Sequence, residues 1–289
     1  MPIDKRITSK TNILCVIGHP IKHSMSPTMW NPALQELELD YVYVAFDVQP
    51  QNLEKAIDGM KAFGIKGMNV TIPHKEAVLK YLDEIDPLAL KMGAINTIKN
   101  EDGILKARNT DADGAKKSLL DEGCNFSGKN VFILGSGGVS RSLAYLLSEE
   151  AKEIILTDLI EEKAILVADE INRNMVANVK GKLSNENNIR EGLKKADILI
   201  NATPIGMHPK VNETPVSKDL LHPDLFVFDV VYNPLETRLM REAANIGCKT
   251  LGGLDMLINQ GILAFEWWLN KKPNKDLMKE KIIEFLKIK

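Results

Sequence analysis

Short β-rich apolar runs alternate with stretches of helical spacing along this 289-residue chain. Asn12 to Gly18 is the first run, ended by Gly18-His19-Pro20. Pro27 to Glu38 follows with Met29, Trp30, Ala33, Leu34 and Leu37 on one helical face. Tyr41 to Phe46 predicts a second strand, Asn52 to Phe63 a second helix, and Gly67 to Val70 a short third strand. This β-α-β-α-β order implies a parallel sheet covered by helices. Pro73 suits the first turn of a helix, and Glu76 to Leu82 is expected to continue it. Thr97 to Lys99 and Ile104 to Arg108 flank the turn Glu101-Asp102-Gly103 as a hairpin. Asp113 to Glu122 has helical spacing and leads into a polar, Gly-containing break at Gly123 to Lys129.

Beyond the break the pattern is different. Asn130 to Leu134 reads as a buried strand, Gly135 to Ser140 as a glycine-rich turn, and Leu143 to Leu147 as the helix after it. Glu153 to Thr157, Ala196 to Asn201 and Leu225 to Asp229 predict further strands. Ile160 to Ile171, Leu235 to Ile246, a segment from Gly252 to Trp268, and Lys275 to Lys287 predict helices. The chain is long enough for two domains, and the change of pattern places their boundary near residue 112.

Composition narrows the classes of function. A formal net charge of -2 gives no electrostatic footprint for nucleic acid, and 44% hydrophobic with 26% charged residues is ordinary for a globular protein. A small-molecule partner is expected. No apolar run approaches the length of a bilayer span, and Met1 to Lys10 is polar rather than signal-like, so the expected location is cytoplasmic. Cys15, Cys124 and Cys248 are odd in number and far apart, which implies neither a disulfide framework nor a zinc site. The five His residues include no H-x-x-x-H pair, and no metal is expected.

Candidate chemistry gathers where strands end. Asn69-Val70-Thr71-Ile72-Pro73-His74-Lys75 puts an amide, a hydroxyl and an amine at the carboxyl end of a strand, the edge at which open α/β sheets bind ligands. The hairpin delivers Asn109 and Asp111 nearby in sequence. In His23-Ser24-Met25-Ser26-Pro27 two readings stay open: Ser26 is an N-cap before Pro27, or Ser24 and Ser26 at a helix start form a carboxylate site. Gly135-Ser136-Gly137-Gly138-Val139-Ser140 is a dinucleotide fingerprint in its required strand, turn and helix context, with Ser140 in place of the third Gly or Ala. Asp158 ends the next strand 23 residues beyond Gly135. It is either a helix cap or an acceptor for both ribose hydroxyls, and the second role leads to an expectation of NAD as preferred cofactor over NADP. The turns after Asn201 and Asp229 lie at the same edge as Gly135, which makes Thr203, Met207, Val230 and the following Gly253 candidates for cofactor contact. Met207 is a packing residue or a floor for nicotinamide. Tyr232 is a half-buried aromatic or a hydroxyl donor to substrate.

Together these blocks resemble the shikimate dehydrogenase family, including its quinate/shikimate branch, over nearly the whole chain. The resemblance rests on Ser24 to Pro27, Asn69 to Lys75, Gly93-Ala94-Ile95-Asn96-Thr97, Asn109 to Asp111, Gly135 to Arg141, Asn201 to Met207, Tyr232-Asn233-Pro234 and Gln260-Gly261, all in the family's order. It implies reversible oxidation of the C3 hydroxyl of shikimate to 3-dehydroshikimate with hydride transfer to a nicotinamide cofactor. It assigns Lys75 and Asp111 to the catalytic pair, Ser24 and Ser26 to the substrate carboxylate, and Asn69, Thr71, Asn96, Tyr232 and Gln260 to the substrate's surroundings. The implied architecture is an α/β substrate-binding catalytic domain (1–112, with 255–289 returning to it) and a C-terminal Rossmann domain (113–254), as a monomer or homodimer. NADP-using members commonly carry Asn-Arg-Thr after the second nucleotide-domain strand, where this chain has Asp158-Leu159-Ile160, with Lys163 at the second basic position. That departure reinforces the expectation of NAD, with NADP-dependent and quinate-oxidising enzymes as alternatives. The non-enzymatic alternative is a module that senses shikimate or NAD, and a folate dehydrogenase is a further rival.

Overall fold

The computed structural model describes residues 7–288, so the first six residues of the polar opening lie outside the described residues. The chain forms two compact α/β units. One runs to Thr110 and resumes at Gln260, and the other covers Asp111–Asn259.

The first unit contains β1 (Asn12–Gly18), α1 (Ser26–Glu36), β2 (Tyr41–Asp47), α2 (Leu53–Ala62), β3 (Gly67–Val70), β4 (Glu84–Ile85), α3 (Pro87–Met92), β5 (Thr97–Glu101) and β6 (Ile104–Arg108). Its sheet has the order β2-β1-β3-β5-β6-β4. The first three strands run parallel, whereas β5 pairs antiparallel with both β3 and β6, so the sheet is mixed. Cys15, Ile17, Met68, Val70, Ile98 and Leu105 form its core against α2. Near the chain's end, Phe265 stacks on Trp30 of α1 and Trp268 packs tilted against it, each with centroids 5.0 Å away, and Trp30 stacks on Tyr43 at 4.8 Å. The aromatic stack draws the C-terminal helices onto this sheet.

The second unit follows with α4 (Thr110–Asp121), β7 (Asn130–Leu134), α5 (Gly138–Leu147), β8 (Glu153–Asp158), α6 (Glu161–Asn174), β9 (Val179–Leu183), α7 (Glu186–Leu193), β10 (Ile198–Asn201), β11 (Phe226–Asp229), α8 (Arg238–Ile246), β12 (Lys249–Gly252) and α9 (Gly253–Leu269). Then α10 (Lys275–Ile288) closes the first unit against α1. The six strands are all parallel in the order β12-β11-β10-β7-β8-β9, the doubly wound arrangement with its reversal between β7 and β10. Strands β7, β10 and β11 are buried almost end to end, as a strand covered by helices on both faces must be.

Two expectations about elements need correction. Residues 76–82 do not continue as a helix: one turn closed by Val78 N–H to His74 O at 3.0 Å gives way to a tight turn at Leu79–Tyr81. The His74 side chain is buried with Nε2 2.6 Å from the Val48 carbonyl, and Val78 alone of the segment is fully buried, too little for a two-turn apolar stripe. Helix α4 begins at Thr110, not Asp113, so Asp111 lies in its first turn and not on a loop.

Candidate functional site

In the first unit the segments that end β3, precede β5 and follow β6 are laced together by backbone bonds. Val70 N–H donates to Asn96 O at 2.9 Å, Ile95 N–H to Lys75 O at 2.8 Å, and Thr71 N–H to Ile17 O at 2.9 Å. Asn109 Nδ2 donates to Ala94 O at 2.9 Å. Thr71, Lys75, Asn69 and Asn96 are thereby brought to one strand edge. Asp111 follows directly on Thr110, whose N–H donates to Asn96 Oδ1 at 2.7 Å.

Beneath that edge lies a buried polar chain. Tyr43 donates its phenol proton to Asn69 Oδ1 at 2.7 Å, and Asn69 Nδ2 donates to Asn96 O and to Thr97 Oγ1, both at 3.1 Å. The amide of Asn69 is fully occupied inside the unit, at 8% exposure. Thr97 and Thr110 complete the chain around the Asn96 side chain. Sequence reasoning passed over Tyr43, Thr97 and Thr110. Hydroxyls flanking amides at strand ends were the available signal, but aromatic and β-branched residues are also what a strand ordinarily carries.

The cap reading of Ser26 does not hold. Met25 is the N-cap residue of α1 and makes no side-chain cap bond, while Ser26 is the helix's first residue. Its N–H lies 3.4 Å from Ser24 Oγ, and its hydroxyl bonds the Tyr43 phenol. Burial pushes Tyr43 well above the ordinary tyrosine range, the nearby Cys15 adds to this, and the Ser26 bond only partly offsets it. Tyr43 therefore stays a neutral donor. Both serines are half-buried; Ser24 Oγ takes the helix's first N–H, and with the Tyr43 proton on Asn69 the Ser26 proton points at the Tyr43 oxygen.

In the second unit the glycine-rich turn joins β7 to α5. Gly135 has φ +96°, and an added Cβ would come within 3.1 Å of Ala202 O and 3.3 Å of Thr203 Cγ2, so the turn after β7 fits closely against the turn after β10. Ser136, Gly137, Gly138 and Val139 line the start of α5, whose unpaired N–H groups and positive dipole end suit a phosphate. At the end of β10, Asn201 Oδ1 accepts from the Thr203 N–H and hydroxyl at 3.1 and 2.7 Å, and Asn201 Nδ2 donates to Asp229 Oδ1 at 3.0 Å. Asp229 also accepts from Val231 N–H and the Thr237 hydroxyl. These bonds fix the turns that carry Thr203, Met207, Val230 and Tyr232. Met207 is 45% exposed and is not a core residue. Tyr232 is half-buried, and burial raises its phenol above the ordinary range.

An added Cβ on Gly253 would overlap the Val230 carbonyl, so this position is reserved for glycine by backbone packing as α9 starts. Gly253→Ala is expected to cost about 1–3 kcal/mol of stability by overpacking. Thermal unfolding checks this, and an unchanged midpoint would show that the turn yields.

Asp158 ends β8 with both carboxylate oxygens engaged. Oδ2 accepts from the Ser136 hydroxyl at 2.6 Å and the Ser136 N–H at 3.2 Å, and Oδ1 accepts from Ile160 N–H at 3.0 Å. Burial is the largest single influence on this carboxyl and pushes it up. The Ser136 and Ile160 bonds with Lys163 outweigh it and hold Asp158 below the ordinary aspartate range. Leu159 beside it is 82% exposed.

All three cysteines are buried, and burial pushes the thiols of Cys15 and Cys124 up to about 12 and about 11, which keeps them protonated. Among the described residues no cluster of His, Cys, Asp and Glu could hold a metal, and no helix is long and apolar enough to cross a membrane.

Comparison with known proteins gives three domain matches: a shikimate dehydrogenase substrate binding domain over residues 16–98, a saccharopine dehydrogenase NADP binding domain over 131–245, and a shikimate 5'-dehydrogenase C-terminal domain over 253–283. The shikimate dehydrogenase (NADP(+)) of Methanocaldococcus jannaschii is 45% identical over 282 residues, which are 96% of this chain and 98% of the relative. A crystal structure of a shikimate dehydrogenase in complex with NADP+ superimposes with TM-score 0.92 at 44% identity, covering 99% of both chains. The shikimate 5-dehydrogenase of Listeria monocytogenes in complex with shikimate and NAD gives TM-score 0.90 at 37% identity, covering 97% of this chain and 99% of that one.

These findings correct the expected NAD preference. Eight curated relatives, 40–46% identical to this chain, are all named shikimate dehydrogenase (NADP(+)), and the matched nucleotide-domain model is an NADP binding domain. The expectation took the Asp158 carboxylate as free to accept the ribose hydroxyls. In the structure it is spent on bracing Ser136 and the start of α6, so an acidic residue at this position does not by itself select the cofactor.

Proposed function

Because this chain belongs to the shikimate dehydrogenase family, we propose that it is an NADP-dependent oxidoreductase converting shikimate reversibly to 3-dehydroshikimate, acting in the cytoplasm as a monomer or homodimer. The observation that supports this reading most is identity of 45% sustained over 96% of the chain. Ser24 and Ser26 hold the substrate carboxylate at a helix start, where the dipole favours an anion, the Ser26 hydroxyl turning from the Tyr43 phenol to do so. Thr71, Asn96, Tyr232 and Gln260 surround the substrate, with Asn69 supporting them from below. Gly135 to Val139 cradle the pyrophosphate, and Thr203, Met207, Val230 and Gly253 border the nicotinamide side. The cofactor supplies the hydride acceptor when bound.

Loss of hydride from the carbinol carbon requires the hydroxyl proton to leave as well, so a side chain must exchange a proton at that oxygen. Lys75 takes this role. In the reducing direction its ammonium donates to the developing alkoxide, and Asp111 orients it and binds a substrate hydroxyl.

Initial rates with shikimate and quinate, each against NADP and NAD, test the proposal. The highest kcat/KM is expected for shikimate with NADP. Shikimate binding without turnover under any pairing would favour a sensing module, and a preference for quinate would move the chain to that branch of the family.

A further inference from the structure

An asparagine amide can face a ligand with its oxygen or with its nitrogen, and for Asn96 the neighbours decide which. The Thr110 N–H is necessarily a donor, and it lies 2.7 Å from Asn96 Oδ1, which must be the oxygen. One N–H of Asn96 Nδ2 goes to the Thr110 hydroxyl at 2.9 Å. Asn69 Nδ2 must face the Asn96 carbonyl, and it gives its other N–H to Thr97 Oγ1. Each threonine hydroxyl therefore receives an amide N–H and has one proton left to place. Asn96 Oδ1 lies 2.9 Å from Thr97 Oγ1 and 3.2 Å from Thr110 Oγ1, and the two hydroxyls are 3.0 Å apart. The protons of the cluster converge on Asn96 Oδ1, which is saturated. What remains is the second N–H of Asn96.

We infer that Thr97 and Thr110 are positioning residues: the Thr110 N–H sets Asn96 with its oxygen inward and the two hydroxyls hold the amide there, a lock through which it meets the substrate only as a donor, to a hydroxyl or carbonyl oxygen. This rests on Asn96 being a substrate-binding residue, as proposed above. A flipped amide would set its NH2 against the Thr110 N–H with both groups buried, where Asn96 is 3% and each threonine 0% exposed. A substrate hydroxyl that accepts from Asn96 must turn its own proton elsewhere, so the lock fixes the direction of that proton as well.

Thr110→Val keeps the side-chain shape and removes the hydroxyl. KM for shikimate should rise about 10-fold, the size of one lost hydrogen bond, with kcat and KM for NADP within about twofold of the parent. Thr110→Ser should restore KM. Thr97→Val is the second variant, should the first not fold, and is expected to raise KM in the same way. The double variant should be no worse than the poorer single one, because both act through one amide. Asn96→Ala should raise KM at least as far. If Asn96→Ala raises KM while folded Thr110→Val and Thr97→Val do not, or if Thr110→Ser behaves as Thr110→Val, the lock is wrong and the substrate role of Asn96 stands. If Asn96→Ala leaves KM unchanged, the substrate role itself falls and the lock with it.

Discussion

Lys75→Met is expected to lower kcat roughly a thousandfold, within the range that a positioned proton donor contributes, while KM for NADP stays within about twofold. The argument starts from how the residue is rooted. The carbonyl of Lys75 accepts the Ile95 N–H at 2.8 Å, and the preceding His74 is buried against the Val48 carbonyl, so the backbone on both sides of the lysine is tied down. A fixed root on a four-carbon stem lets a single ammonium reach one oxygen repeatedly, which positioned acid catalysis requires. Methionine keeps the stem and deletes the charge and the protons. The same reasoning applied to Asp111→Asn predicts a smaller fall in kcat, of about a hundredfold, since orienting the amine is a lesser task than moving the proton. Steady-state kinetics decide between this and a purely binding role. If Lys75→Met raised KM for shikimate and left kcat intact, the lysine would be a uniform-binding residue and the proton transfer would belong elsewhere. Partial recovery of Lys75→Ala by added methylamine would show that an amine at this place, and nothing else about lysine, restores the reaction.

The nucleotide-binding unit was legible because its central strands are apolar throughout and each ends in a recognisable turn. Asn130–Leu134 followed by Gly135 could be placed from sequence, since only a strand covered on both faces reads as such a run. Strand β9, Val179–Leu183, was not, because it is an edge strand whose Lys180 and Lys182 break the apolar pattern. The short polar helix α7 and the four-residue β12 escaped for the same reason: little of their length is buried. In the first unit, Pro73 and the apolar residues around Val78 imitate a helix start, yet after one four-residue bond, Val78 N–H to His74 O, the hydrogen bonds at Leu79 and Tyr81 close three residues apart. The site was legible as a set of residue types at strand ends. Which of them are spent on one another was not, because pairings such as Asn69 with Tyr43, or Asp158 with Ser136, depend on contacts between distant segments. The cofactor expectation failed at such a pairing. Asp158 was read by its position in sequence, and its carboxylate turns out to be committed to the glycine-rich turn.

Asp229→Asn is expected to change the pH dependence of stability by about 3 kcal/mol. Asp229 is fully buried at the end of β11, and burial pushes its carboxyl up from the ordinary value of 3.8 to about 6, with the bonds from Thr237, Val231 and Asn201 opposing the rise. Between those two values the folded protein binds a proton that the unfolded chain has released, so stability falls as pH climbs through the window. The contribution is complete below the unfolded value and gone above the folded one. Asparagine cannot ionise, so the variant escapes this loss. It also gives up an acceptor for the Thr237 hydroxyl or forces that hydroxyl to turn, at a cost of about 1 kcal/mol. The variant should therefore be slightly less stable than the parent at pH 4 and more stable at pH 7.5. Urea unfolding of both proteins across this range gives the difference curve directly, free of the other carboxyls that both share. Parallel curves would mean that the three donors stabilise the carboxylate enough to cancel burial. A difference that opens between pH 4 and 6 would mean that the protein tolerates a costly charge there, at the residue whose Oδ1 ties the Asn201 turn to the Val231 backbone and so fixes the strand edge that carries Val230 and Tyr232.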